Sequence, residues 1–136
     1  IRMMDGFYNM NEESFILREN YMANIDYKYD NKHDILFIYI TDDEDYKYNI
    51  SVEINNNIIL DLDENNELIS LECLDASTVF NVDKNYFTEL ERIIIFTYPT
   101  LQYHLYQVLI DFGEGKIRTL RFFSGIQYQQ YMWMED

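Results

Sequence analysis

Apolar residues recur along this chain mainly with a period of two, the spacing of half-buried strands. Ile25, Tyr27 and Tyr29 alternate with Asp26 and Lys28, which predicts a strand carrying those three on one face. Ile35 to Ile40 is continuously apolar between Asp34 and Thr41, and reads as a central strand buried on both faces. Ile50, Val52 and Ile54 alternate with Ser51 and Glu53. Ile58, Leu60 and Leu62 share a face opposite Asp61 and Asp63, and Ile69, Leu71 and Cys73 share another. Asn55–Asn57 and Glu64–Glu67 separate these runs as turns, since Asn is the residue after Gly that best tolerates positive φ. The pattern predicts an antiparallel meander of about five strands over residues 25–80. Further strands follow at Arg92–Tyr98, Leu101–Phe112 and Lys116–Phe123, the last two joined by a Gly113-Glu114-Gly115 hairpin.

Helical spacing is scarce. Asn11 to Asn20 reads as a short helix, with Asn11 as cap and acids in the first turn, inside an N-terminal helical segment 1–24. Asp83 to Glu91 is a second candidate, with Tyr86, Phe87 and Leu90 at helical spacing. Residues 125–136 show no clear period. The expected fold is therefore α+β, a mainly antiparallel twisted sheet with one or two short helices in a single domain spanning 1–136. A closed or half-closed barrel is the alternative topology.

Charge divides the chain. Residues 26–91 hold 17 acidic and 4 basic side chains, a net −13, whereas residues 92–136 hold 4 of each. The whole chain of 136 residues carries −15. No Gly, Ser or Pro linker marks the change near residues 88–92, so we read it as the join of two parts of one sheet system. A field of this sign repels phosphates, so neither nucleic acid nor an anionic membrane is an expected direct partner. A basic protein partner suits it. The lone cysteine excludes an intramolecular disulfide, and no apolar run approaches the ~20 residues of a membrane-spanning helix. We expect a soluble cytoplasmic protein.

Several constellations bear on chemistry. Asp61, Asp63, Asn65 and Glu72 fall at calcium-loop spacing, but Asn66 stands where such a loop needs Gly and the flanks have strand period. A hairpin turn with solvated acids is the better reading. His33 sits in a polar turn beside Asp30 and Asp34, and His104 lies in an alternating segment, neither at metal-ligand spacing. Cys73 points inward as a structural thiol. Ser77 lacks any nucleophile-elbow context and could cap the segment after it. No Gly-rich phosphate loop is present. Arg118 and Arg121 alternate with Phe112, Phe122 and Phe123, followed by Trp133, a mixture suited to a core with snorkelling Arg stems or to a protein interface.

The stretch from Ile25 to Ser77 resembles a domain-of-unknown-function family, DUF2283. The resemblance rests on Tyr29-Asp30, on Asp34 with the run to Tyr39, on Ile58 to Glu64, on Ile69 to Leu74 and on Ala76-Ser77. Where the family pattern usually has Gly in the turn, this chain has Asn66, and the C-terminal hairpin lies outside the pattern. The resemblance implies a small accessory or antitoxin-like protein, with no activity and no cofactor attached.

These readings converge on a non-enzymatic protein-interaction module. Its interaction residues would be Asp42, Asp43, Glu44 and Asp45 toward a basic partner, and Phe122 and Trp133 toward a second copy of the chain. An acidic nucleic-acid mimic and an enzyme of unrecognised type are the alternatives.

Overall fold

A computed structural model describes residues 14–18, 22–41, 47–100 and 103–124, together with the backbone of 131–135. Its strands are β1 (Phe15–Leu17), β2 (Met22–Asp30), β3 (Ile35–Ile40), β4 (Tyr48–Glu53), β5 (Ile58–Asp63) and β6 (Leu68–Leu74), then β7 (Arg92–Pro99), β8 (His104–Asp111), β9 (Ile117–Ser124) and β10 (Tyr131–Glu135). Between β6 and β7 come a five-residue helix α1 (Ala76–Phe80) and a single 3₁₀ turn, Lys84–Phe87. All ten strands belong to one sheet, in the order β10-β9-β8-β7-β1-β2-β3-β6-β5-β4. Pairing is antiparallel except between β1 and β7. The sheet curls into a half-barrel, so the fold is predominantly β rather than α+β.

Three expectations about the strands change. Residues 15–17 form a strand, not helix, because Phe15, Ile16 and Leu17 are good strand formers with a slot waiting between β2 and β7. Ser14 fastens that slot: its carbonyl accepts the Ile25 amide at 3.2 Å and its hydroxyl accepts the Ile93 amide at 2.9 Å. The other residues of the expected helix, 11–13 and 19–20, lie outside the described set. The acidic half is also not a simple meander, since β6 inserts beside β3 and leaves β4 on the edge. The half-exposed, polar Tyr48–Glu53 tolerates an open edge, whereas Leu68–Leu74 is buried along most of its length. Finally, β3 is buried on one face only: Leu36, Ile38 and Ile40 face the core, and Ile35, Phe37 and Tyr39 are partly exposed.

The concave face holds the core. Leu36, Ile38, Ile58, Leu60, Leu71 and Cys73 contribute from one half and Ile93, Ile95, Tyr106, Val108, Leu120 and Phe122 from the other. Phe80 and Phe87 close the space between the halves. Phe87 stacks on Tyr29 at 4.9 Å and meets Phe112 edge-on at 5.1 Å, an arrangement that adds to simple burial. Arg118 reaches from β9 to the carbonyl of Phe80 at 3.0 Å, supplying a donor where α1 runs out of its own. The expected helix at 83–91 shrinks to Lys84–Phe87, yet it buries Phe87 fully and packs Tyr86 and Leu90 against the core.

Candidate functional site

The residues that carried the family resemblance meet at one place. The turn after β2 brings Asp34 under the start of α1 with φ of +56°, and Asp75 enters the helix at +53°. The Asp34 carboxylate accepts the Tyr29 hydroxyl at 2.7 Å, the Ser77 hydroxyl at 2.6 Å and the Ser77 amide at 3.0 Å. The Asp34 carbonyl accepts the Ala76 amide at 3.0 Å. Ser77 therefore does not cap the helix itself. The cap is a carboxylate brought from the β2–β3 turn, beside two non-glycine residues, Asp34 and Asp75, in left-handed geometry.

Electrostatics make this a clasp rather than a reactive centre. Burial alone would raise the Asp34 carboxyl; the bonds from Ser77 and Tyr29, with the Lys84 charge, hold it below the usual carboxylate range. Burial, then the bond to Asp34, raises the Tyr29 phenol well above its ordinary value. Burial and the charges of Asp34 and Asp75 push the nearby Cys73 thiol up to about 12. An ionised acid surrounded by donors cannot supply a proton, and a thiol so raised is no nucleophile at neutral pH.

The calcium-spaced acids are used otherwise. Asp63 is 7% exposed, not solvated as expected, because its Oδ1 accepts the turn amides of Asn65 at 2.8 Å and Glu67 at 3.0 Å. Asp61 accepts the hydroxyls of Ser51 at 2.7 Å and Ser70 at 3.0 Å. Glu72 pairs across to Ile59, not to Asp61 or Asp63, so the four candidates do not converge. Among the described residues no three His, Cys, Asp or Glu side chains gather as a metal site. Asn66 adopts φ of +64°, the left-handed turn its position required.

The histidines are far apart in role. His33 is exposed, with Nδ1 2.8 Å from Asp30 Oδ2, and this bond holds the Asp30 carboxyl below its ordinary value. His104 is half-buried at the end of the concave face, stacked on Tyr106 at 4.6 Å, and burial lowers its pKa. Where β2 runs past β1, an open groove of about 430 Å³ is lined by Asp26, Tyr27, Lys28, Tyr29 and Phe87. The Asp26 carboxylate turns back to accept the Tyr27 amide at 2.8 Å there, and the Tyr27 hydroxyl accepts the Leu90 amide at 2.8 Å.

The convex face is where the halves diverge. On the β2-to-β4 side, register aligns Lys28, Phe37, Glu72, Ile59 and Glu53 in one row and Asp26, Tyr39, Ser70, Asp61 and Ser51 in the next. Phe37 and Tyr39 stack at 5.4 Å, and the Lys28 ammonium sits 5.6 Å from the centre of the Tyr39 ring. Sequence reasoning missed these rings because β3 read as buried on both sides. Of the expected interaction residues, Asp42, Asp43, Glu44 and Asp45 lie outside the described residues. Trp133 is opposite Arg121 in the β9–β10 register, and its side chain lies outside them too. Phe122 is fully buried in the core against Tyr106 at 5.3 Å, so it is not an interface residue.

Residues 26–77 match the family described as Protein of unknown function (DUF2283), a span that runs from β2 to the start of α1. This bears out the resemblance read from Tyr29, Asp34 and Ala76-Ser77, and it covers less than half of the chain. No curated protein and no solved structure matches.

Proposed function

We propose that this chain is a non-enzymatic interaction module that takes a basic protein segment on the convex face of β2, β3, β6, β5 and β4. One observation carries the reading. On that face a lysine, Lys28, already rests over the Tyr39 ring beside the carboxylate of Asp26, so the surface is built of groups that accept ammonium and guanidinium. Glu72 and Asp26 flank the Phe37–Tyr39 stack, Glu53 ends the Phe37 row on the edge strand β4, and Lys28 is the cation among the described strand residues of the two rows. The net −13 of residues 26–91 would speed the encounter, and the rings would give it a footprint. The Asp34 and Asp61 carboxylates are occupied by hydroxyl and amide donors of the fold itself, and binding is the chemistry the convex surface supports best.

Titration with an oligolysine peptide tests it. Replacing Asp26, Glu53 and Glu72 by their amides is expected to weaken binding about tenfold at moderate salt, since exposed pairs contribute roughly 0.2–1 kcal/mol each. The same change at Glu64, Glu89 and Glu91, exposed residues outside both rows, is expected to weaken it no more than twofold. Equal losses in the two triples would reduce the effect to net charge and refute the assigned face.

A further inference from the structure

The sheet has an open edge in its interior. β1 pairs with β2 at Met22 to Asn24, and among the described residues no strand pairs with that side of β2 from Asp26 to Asp30. The groove of about 430 Å³ runs along this stretch, touching all four residues from Asp26 to Tyr29, with Phe87 and Thr88 as its opposite bank. A groove that meets side chains of both strand faces in succession follows a bare backbone edge. Ile25 donates its amide to the Ser14 carbonyl, whereas the Asn24 carbonyl turns the other way, to the Thr41 amide. By strand period the backbone groups of Tyr27 and Tyr29 therefore turn toward the groove. Its width is that of one strand: β1 fills the same space further along, between β2 and β7, and Ser14 closes that end with its bonds to Ile25 and Ile93. The floor is aromatic. The Tyr27 hydroxyl crosses beneath to accept the Leu90 amide, and the Tyr29 ring crosses to stack on Phe87.

We infer that this slot takes an extended, basic segment of a partner protein as an added strand, antiparallel to β2. The segment's basic character rests on the reading proposed for the adjoining face, with which the slot shares Asp26 and Lys28. Backbone selects the strand mode. The Tyr27 amide is held by the carboxylate of its neighbour Asp26 at 2.8 Å, a stand-in for a strand partner, while the carbonyls of Tyr27 and Tyr29 turn toward the groove as acceptors. Side chains select the sequence. Residues of the incoming strand opposite Tyr27 and Tyr29 would lie over the ring floor and suit apolar groups. Those opposite Asp26 and Asp30 would lie on the outer face beside carboxylates, and Lys28 between them is turned to the Tyr39 ring. The chain's own residues before Ser14 match less well, since the β1 register run back along β2 sets Glu13 opposite Asp26.

Fluorescence anisotropy of the wild-type chain with a labelled peptide, Thr-Val-Lys-Val-Ser-Val-Lys-Val-Thr, tests this directly. Its lysines are spaced as Asp26 and Asp30 are, and its central valines as Tyr27 and Tyr29. Methylating the amide nitrogens of the two central valines, which would donate to the Tyr27 and Tyr29 carbonyls, is expected to weaken binding about tenfold or more. Methylating those of the two lysines is expected to weaken it no more than about threefold, because the far bank's Thr88 and Leu90 amides are already bonded to Asn85 and Tyr27. Equal effects of the two methylations would overturn the inference. If Glu53→Gln with Glu72→Gln then weakened all three peptides alike, the convex face would stand as the binding surface without the slot. A parent peptide that fails to bind at about 1 mM would also overturn it and leave the slot to residues 1–13 of the chain itself or to a second copy. Oligolysine binding indifferent to the amides at Asp26, Glu53 and Glu72, with the methylation contrast intact, would refute the face and keep the slot.

Discussion

On the β2-to-β4 half of the sheet the convex rows set carboxylates beside rings, whereas on the β1, β7, β8 and β9 half they set apolar side chains around a tied Arg121–Gln107 pair. The concave sides of the two halves are alike, a continuous layer of Ile, Leu, Val and aromatic residues. What the fold demands is thus shared, and what it leaves free differs. Interior composition is dictated by close packing. The outer positions answer only to solvent and partners, so their divergence is where function is to be sought.

The sharpest way to break this comparison is to change neighbours on opposite sides of one strand. Phe122→Ala is expected to cost about 3–5 kcal/mol in urea unfolding, because it opens a cavity under Tyr106. Phe123→Ala, one residue on and facing outward, is expected to cost about 1 kcal/mol or less at concentrations where the chain is monomeric. Equal costs would mean that the convex face is as much a core as the concave one.

The clasp comes next, as a feature of the acidic half. Asp34→Ala is expected to lower stability by about 3 kcal/mol, since it strands the Ser77 amide and hydroxyl and the Tyr29 phenol and leaves residue 34 in a left-handed conformation. Its pH dependence follows from the sign of the shift. The folded Asp34 carboxyl lies below its unfolded value of about 3.9, so its contribution is full above that pH and is lost as pH falls through the folded value. The urea midpoint of the wild type should therefore drop more between pH 5 and pH 2 than that of Asp34→Asn. A parallel decline in the two proteins would show that Asp34 is not the group responsible.

Turn chemistry supplies the smallest effect and sharpens the contrast between halves. The β8–β9 hairpin uses Gly113 and Gly115 at φ of +88° and +77°, while the β5–β6 turn holds Asn66 at +64°. Asn66→Gly is expected to raise stability in urea unfolding by up to about 1 kcal/mol, and Asn66→Ala to lower it by about 1 kcal/mol. A stabilising Ala would mean the turn can leave the left-handed region.

Much of this architecture was legible in the period-two pattern. The inward sets Ile58–Leu60–Leu62 and Leu71–Cys73 and the glycine hairpin all lie where alternation puts them. Strand order was not, because pairing β6 with β3 depends on which strand tolerates an open edge, a comparison between segments far apart in sequence. Residues 15–17 defeated the capping signal because the slot that holds them is made by Ile94–Phe96, far along the chain. Phe122 and Phe123 show the limit for sites: composition flagged an aromatic surface, and only register decides which ring faces out. The clasp residues were visible as a motif, but their convergence needs the turn geometry of Asp34 and Asp75. The acids at 42–45 drew attention through abundance alone, while Glu72 and Glu53 gain meaning from the Phe37 row in which β6 and β5 place them.

The central claim, that the convex face of the β2-to-β4 half is the one built to take cations, is tested most directly by amide chemical-shift mapping. Nitrogen-15-labelled protein would be titrated with oligolysine at low and then at moderate salt. The account predicts that oligolysine perturbs amides around Asp26, Tyr39, Glu53 and Glu72, and leaves those around Leu17, Phe96, Tyr98 and Ile117 unshifted. Peptide-induced shifts centred on β7 to β9, or spread evenly over the whole sheet, would contradict it.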